Sequence, residues 1–212
     1  QCLLEKEAMK YYANILNPFS SFVTKKLEEI KSLGLPIDVI APSHGVIWRK
    51  DPLSIVGKYA EWADDYQEDR LTIVYDTMWE GTAAIAHEIA EAAARVSPGT
   101  AVKVFNCSKA DKNEMMTEVF RSRAVAIGSP TVGNDILTSV SSTIHFMKSL
   151  KFRSKRAAAF GCYGWSGESV KILKERLADA GFLVADESIR SMWKPNDEEL
   201  ASAEPLVRAL LG

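Results

Sequence analysis

Two textures of apolar and polar patterning divide the chain. From residue 71 onward, short unbroken apolar runs alternate with stretches of helical period. The runs at 71–75, 101–105, 124–128 and 156–161, with a last one starting at 182–185, predict strands. The intervening stretches at 82–96, 112–121, 137–150, 168–180 and 197–211 predict helices. In the first of these, Ala83, Ala86, Ile89, Ala90 and Ala93 share one face, and Pro98-Gly99 ends it. Five strands alternating with five helices predict right-handed crossovers and an α/β fold, a doubly wound five-stranded parallel sheet in the order 2-1-3-4-5. The first, third and fourth runs lack alternation, as strands buried on both faces do.

Before residue 71 the texture changes. Helical periodicity over 4–16 and 20–33 is broken by Asn17-Pro18 and ended by Gly34, and a short apolar run at 37–41 stops at Pro42. Two or three helices and one strand cannot close a core, so residues 1–62 are expected to be the tail of another domain. The acidic, aperiodic stretch 63–70 is expected to link it to the domain at 71–212.

A hydrophobic fraction of 47% with 25% charged residues excludes disorder. A net charge of -2 gives no electrostatic reason for nucleic acid or an anionic membrane as partner. No apolar run approaches the roughly 20 residues of a bilayer span. The chain opens at Gln1 without a secretory segment, which reads as a cut inside a longer protein. Cys2, Cys107 and Cys162 are odd in number and widely spaced, so free thiols in a reducing cytoplasm are expected, Cys107 as a small buried hydrophobe. His87 and His145 fall in helices and are read as surface or packing residues.

Doubly wound folds take ligands at the carboxyl ends of their strands, near the switch point. The loop after the first strand is Tyr75-Asp76-Thr77-Met78-Trp79-Glu80-Gly81-Thr82. A strand–loop–helix turn aims free amides and a helix dipole at one point, which suits an anion. Thr77 and Thr82 add hydroxyls, and Gly81 allows close backbone approach; no Lys or Arg lies in the loop, so neutral donors alone would hold the anion. An ordinary helix cap at Thr82 is the plainer alternative. After the third strand, Ser129, Pro130, Thr131, Val132, Gly133 and Asn134 form a polar loop able to wrap a flat ring. After the fourth, Cys162, Tyr163, Gly164, Trp165, Ser166 and Gly167 combine flexible backbone with two large aromatics. With Trp79, three aromatics surround one predicted cleft, and stacking on a planar heterocycle explains them economically. One loop for phosphate and two for a ring describe a mononucleotide, FMN fitting best.

At these loops the chain resembles flavodoxins, and more closely the flavodoxin-like half of the flavodiiron proteins. The resemblance rests on Tyr-Asp-Thr-Met-Trp-x-x-Thr at 75–82, Gly-Ser-Pro-Thr at 128–131 and Tyr-Gly-Trp-Ser-Gly at 163–167. Trp79 and Glu80 stand where short flavodoxins carry a hydroxyl and a glycine, a departure towards the diiron family. Residues 10–15 and Ala41-Pro42-Ser43-His44-Gly45-Val46-Ile47-Trp48 resemble the end of the metallo-β-lactamase-like domain that precedes the flavodoxin half in that family. The resemblance implies that His44 matches an iron ligand, that FMN is the cofactor, and that a diiron centre belongs to the intact protein and not to this fragment. It further implies electron supply by rubredoxin, its reductase or a reduced deazaflavin, reduction of dioxygen or nitric oxide, and a head-to-tail homodimer. No side chain is expected to act as acid, base or nucleophile.

The alternatives are a stand-alone electron carrier and a flavin-free dimerisation module. A phosphoacceptor receiver would need an acidic pair after the first strand and an acceptor Asp after the third, where Asp76 stands alone and Gly128-Ser129-Pro130 occupies the acceptor position. Dinucleotide and nucleoside-triphosphate glycine motifs are missing from the sequence.

Overall fold

The computed structural model describes residues 2–212; Gln1 and the side chain of Cys2, one of the three thiols, lie outside the described residues. The chain divides into two compact units, Gln1–Tyr66 and Gln67–Gly212.

In the first unit, α1 (Cys2–Tyr11) runs into a π-helical turn, Tyr12–Leu16, and a 3-10 turn at Asn17–Phe19, where Pro18 prevents regular continuation. Then come α2 (Ser20–Ser32) and α3 (Pro52–Ala63). Proline fits the first turn of α3 because its missing N–H is not needed there. The apolar run at 37–41 forms no full strand: a single bridge pairs Ile40 with Trp48. Tyr12 and Trp62 are the largest buried side chains of this unit, with ring centroids 5.6 Å apart, and the Tyr59 ring meets Tyr12 edge-on at 5.3 Å. Burial pushes the Tyr12 phenol above its usual pKa, its hydroxyl lying 2.9 Å from Ser20 Oγ.

The second unit alternates β1 (Glu68–Tyr75), α4 (Gly81–Val96), β2 (Ala101–Asn106), α5 (Lys112–Arg121) and β3 (Ser122–Gly128). A two-stranded hairpin follows, β4 (Thr131–Val132) and β5 (Asp135–Ile136), then α6 (Thr138–Ser149) and β6 (Arg156–Tyr163). The chain finishes with α7 (Ser169–Asp179), β7 (Leu183–Met192), α8 (Asp197–Ala201) and α9 (Ala203–Leu211). The main sheet has the order β2-β1-β3-β6-β7, with every pairing parallel. Counting only its five strands, this is the 2-1-3-4-5 order read from the sequence.

Three differences have physical causes. The polar stretch 68–70 opens β1 because its charges are paired: Arg121 bridges Glu68 at 2.6 and 2.8 Å, and Arg70 meets Glu118 at 2.8 Å. β7 continues through Asp186 and Glu187 to Met192, since an edge strand can turn polar residues to solvent. The last helical stretch is two helices, α8 starting from a capping box between Asn196 and Glu199.

Below the sheet, buried Lys155 donates to the carbonyls of Phe120 and Ser122, each at 2.7 Å. Lys155→Met removes a charged donor from two buried acceptors and is expected to destabilise this unit by about 2–3 kcal/mol, measured by urea unfolding.

Candidate functional site

The loops after β1, β3 and β6 converge on one cleft of about 580 Å³ at the carboxyl ends of the strands. It is lined by Thr77, Met78, Trp79, Gly81 and Thr82 from the first loop, by Pro130, Thr131, Val132, Gly133 and Asn134 from the second, and by Cys162, Tyr163, Gly164, Trp165 and Ser166 from the third.

At the first loop the chain turns through Glu80, which sits in the left-handed region at φ 62°, directly into α4. No side chain caps this helix, and its first turn carries no acidic residue. The Thr82 side chain belongs to that first turn and does not cap it. The positive end of the dipole therefore opens on the cleft. Thr77 Oγ1 and Thr82 Oγ1 are buried without a hydrogen-bond partner, although both residues line the cleft. Beside Thr82 lies the Cys162 thiol, a weak partner. Buried hydroxyls are nearly always satisfied, so this pair points to a missing acceptor.

Asp76 faces elsewhere and fixes the loop. Its carboxylate accepts from the Thr77 amide at 2.8 Å, from Ser108 Oγ at 3.1 Å and from Ser139 Oγ at 2.5 Å, tying the ends of β1 and β2 to the start of α6.

The second loop is stiffer than its composition suggests. Thr131 pairs with Ile136 and Val132 with Asp135. Gly133 at φ 58° and Asn134 at φ 61° make the two-residue turn whose twist suits a hairpin. Ser129 is fully buried, accepts from the Leu137 amide at 2.9 Å and anchors the hairpin without lining the cleft. Thr131 Oγ1 accepts from the Ser169 amide at 3.1 Å, and Arg176 grips the Asp135 carboxylate at 2.9 and 3.0 Å.

In the third loop, Trp165 is 90% exposed and Trp79 88%. Exposed indoles at the mouth of a cleft are surfaces awaiting cover. The Arg190 guanidinium lies 4.6 Å from the Tyr163 ring centroid. Gly167 makes room for it, as a Cβ there would come within 2.2 Å of Arg190 Nε. Glu80 and Gly167 thus shape the loops and, like Ser129, do not line the cleft.

The family model for flavodoxin matches residues 73–204. The chain is 44% identical over 210 residues to an anaerobic nitric oxide reductase flavorubredoxin of Aeromonas hydrophila, covering 99% of this chain and 42% of that protein. The protein of the same description from Escherichia coli is 48% identical over 200 residues, 94% of this chain and 42% of its own length. Among solved structures, rubredoxin oxygen:oxidoreductase of Desulfovibrio gigas superposes with a TM-score of 0.93 at 33% identity, over 98% of this chain and 52% of that one. The flavodiiron protein of Giardia intestinalis gives 0.88 at 28% identity, over 95% and 50%. The chain belongs to the flavodoxin family, in its flavodiiron branch. It spans about half the length of these relatives or less.

Two residues that line the cleft were not read from the sequence, Trp193 and Lys194. They follow β7, and an expectation that only starts the last strand at 182–185 leaves them in a featureless connection to the helix expected at 197–211. An aromatic–basic–proline run immediately before the Asn196 capping box was the available signal. Trp193 meets Trp165 edge-on at 5.4 Å, donates its amide to the Tyr163 carbonyl at 2.7 Å and lies against Gly164.

Cys162 and Cys107 are both free. Burial, foremost, pushes the Cys162 thiol up to about 11. Cys107 is only half-buried; burial and the Asp76 carboxylate raise its thiol pKa too. Since the folded pKa of Cys162 exceeds the ordinary 9.0, its ionisation favours unfolding, and stability falls as pH rises from 9.0 through about 11. At pH 8, iodoacetamide is expected to leave Cys162 unmodified in the native chain and to label it in denaturant, as mapped by peptide mass spectrometry.

His87 and His145 lie exposed on α4 and α6. In the first unit His44 is exposed, its ring 5.7 Å from that of Tyr11, and it borders an apolar cavity of about 500 Å³. Among the described residues, no three His, Cys, Asp or Glu side chains are placed to hold a metal ion. The residues present therefore do not fit a diiron centre by themselves. No described helix is long and apolar enough to cross a membrane.

Proposed function

We propose that the cleft of the second unit holds FMN and that this unit passes electrons within a longer flavodiiron oxidoreductase. The observation that carries the reading is the pair of buried, unpartnered threonine hydroxyls beside an uncapped helix start. The residues fit the group. Thr77, Thr82 and the first-turn amides of α4 would hold the phosphate. Met78, Glu80 and Gly81 would shape that grip, while Pro130, Thr131, Val132, Gly133 and Asn134, on the hairpin that Ser129 anchors, would offer backbone to the ring edge. Cys162, Tyr163, Gly164 and Ser166, in the loop that Gly167 shapes, would complete the enclosure, with Trp79, Tyr163 and Trp165 covering the ring.

The isoalloxazine supplies the redox chemistry when bound. The chain's own residues orient it, exclude water and make charge costly in a low-dielectric surround. No side chain serves as acid, base or nucleophile, and Cys162, kept protonated by burial, takes no redox part.

In the longer protein, residues 1–62 would end a metallo-β-lactamase-like domain, and His44 would be one ligand of a diiron centre whose other ligands lie outside this chain. The acceptor would be dioxygen or nitric oxide, as the names of the relatives suggest. Donors would be rubredoxin, its reductase or a reduced deazaflavin, with two copies head to tail in the cytoplasm. His44→Ala in that longer protein is expected to lower bound iron, measured by metal analysis; unchanged iron would refute the ligand role.

An absorption spectrum of the purified chain, before and after added FMN and ultrafiltration, tests the binding itself. Flavin bands retained at one per chain, bleached by dithionite and restored by air, are expected. A colourless chain that lets all added FMN through the filter contradicts the proposal.

A further inference from the structure

The sequence places no Lys or Arg in the phosphate-facing loop, yet the structure brings a cation to the cleft from the far end of the sheet. Lys194 is the one charged side chain among the described residues that line it. The peptide leading into it packs on the start of α4: a Cβ at Gly81 would come within 2.8 Å of the Trp193 carbonyl oxygen. Trp193 takes a left-handed φ of 62° to make this approach and is held by its amide bond to the Tyr163 carbonyl at 2.7 Å. Beyond it, Pro195 is buried, so the two-residue crossing is fixed at both ends. The Trp193 ring lies over Gly164, towards the ring end of the cleft, while its carbonyl oxygen lies beside Gly81 at the start of the uncapped helix, and the lysine that follows lines the same cleft as Gly81 and Thr82.

We infer that Lys194 is a specificity residue for the phosphorylated flavin, its ammonium supplying the counter-charge that the neutral donors of the first loop lack. The inference rests on the FMN reading above. A phosphate monoester carries close to two negative charges at neutral pH, which hydroxyls and amides bond but do not neutralise. A lysine acts on such a group as a mobile point charge and needs no fixed bidentate geometry. Its exposure suits that role, leaving the ammonium hydrated and charged until the anion arrives. The consequence is discrimination: riboflavin, with the same ring and no phosphate, gains nothing from Lys194.

The test is fluorescence titration of the wild-type chain, Lys194→Gln and Lys194→Arg with FMN and with riboflavin, at low and high salt. Lys194→Gln is expected to weaken FMN about tenfold, to leave riboflavin unchanged and to flatten the salt dependence of FMN binding. Lys194→Arg is expected to retain most of the FMN affinity. Equal weakening of both flavins by Lys194→Gln would make the residue a support for the ring or the fold and overturns the inference. Unchanged FMN affinity overturns it as well. A wild-type chain that binds riboflavin and FMN equally sinks the phosphate role alone; one that binds neither sinks the FMN reading and this inference together.

Discussion

Thr82→Val is expected to stabilise the second unit while weakening FMN binding, two effects of opposite sign from one atom. Thr82 is 1% exposed, and its buried hydroxyl has nothing better beside it than the weak Cys162 thiol. Such an atom costs about 1–3 kcal/mol of desolvation that nothing returns. Valine keeps the shape and removes the cost, so the urea midpoint of the ligand-free chain should rise, corresponding to about 1 kcal/mol. With ligand present the same hydroxyl gains a charged acceptor, and losing that bond should weaken FMN about 10–100-fold. A purely structural threonine would move both readouts in the same direction. Thr77→Val is its natural companion, as Thr77 Oγ1 is buried and unpartnered in the same cleft.

Gly161→Ala should carry the larger structural penalty. A Cβ at this position would come within 2.1 Å of the Ser129 carbonyl oxygen, a backbone atom of the neighbouring strand end that no side-chain rotation can move aside. β3 and β6 must spread, and the Ser129 amide bond to the Phe160 carbonyl, now 3.2 Å, is broken. The expected loss is about 3 kcal/mol or more, read by urea unfolding. The spread also moves the Ser129 anchor of the hairpin relative to the Cys162–Tyr163 segment, so FMN affinity falls even where the chain remains folded. Gly99→Ala is the control: a Cβ there meets nothing within 4 Å, and stability should hardly change.

The central strands were legible because burial on both faces leaves runs such as Val125, Ala126 and Ile127 with no polar interruption. The three converging loops were legible for a related reason, since turns that bind a ligand carry hydroxyls, glycines and aromatics that packing alone does not require. Polar strand residues hid the rest. Glu68 and Arg70 looked like linker because their partners, Arg121 and Glu118, lie some fifty residues away in sequence. Asp186 and Glu187 masked the continuation of an edge strand, and with it Trp193 and Lys194. Gly133 and Asn134 read as part of a polar loop able to wrap a ring, whereas two successive left-handed residues make a tight hairpin. The third helix of the first unit, Pro52–Ala63, was not located, as its apolar positions follow a proline that also suits a turn.

In the proposed complex the cleft takes a phosphate at the start of α4 and a flat ring between exposed aromatics. Titrating the ligand-free chain into FMN while following flavin emission tests this most directly, because a ring stacked on indole loses its fluorescence and a free one keeps it. Quenching that saturates at one FMN per chain and is reversed by denaturant is expected. Emission that stays at the level of free FMN at every protein concentration would contradict it.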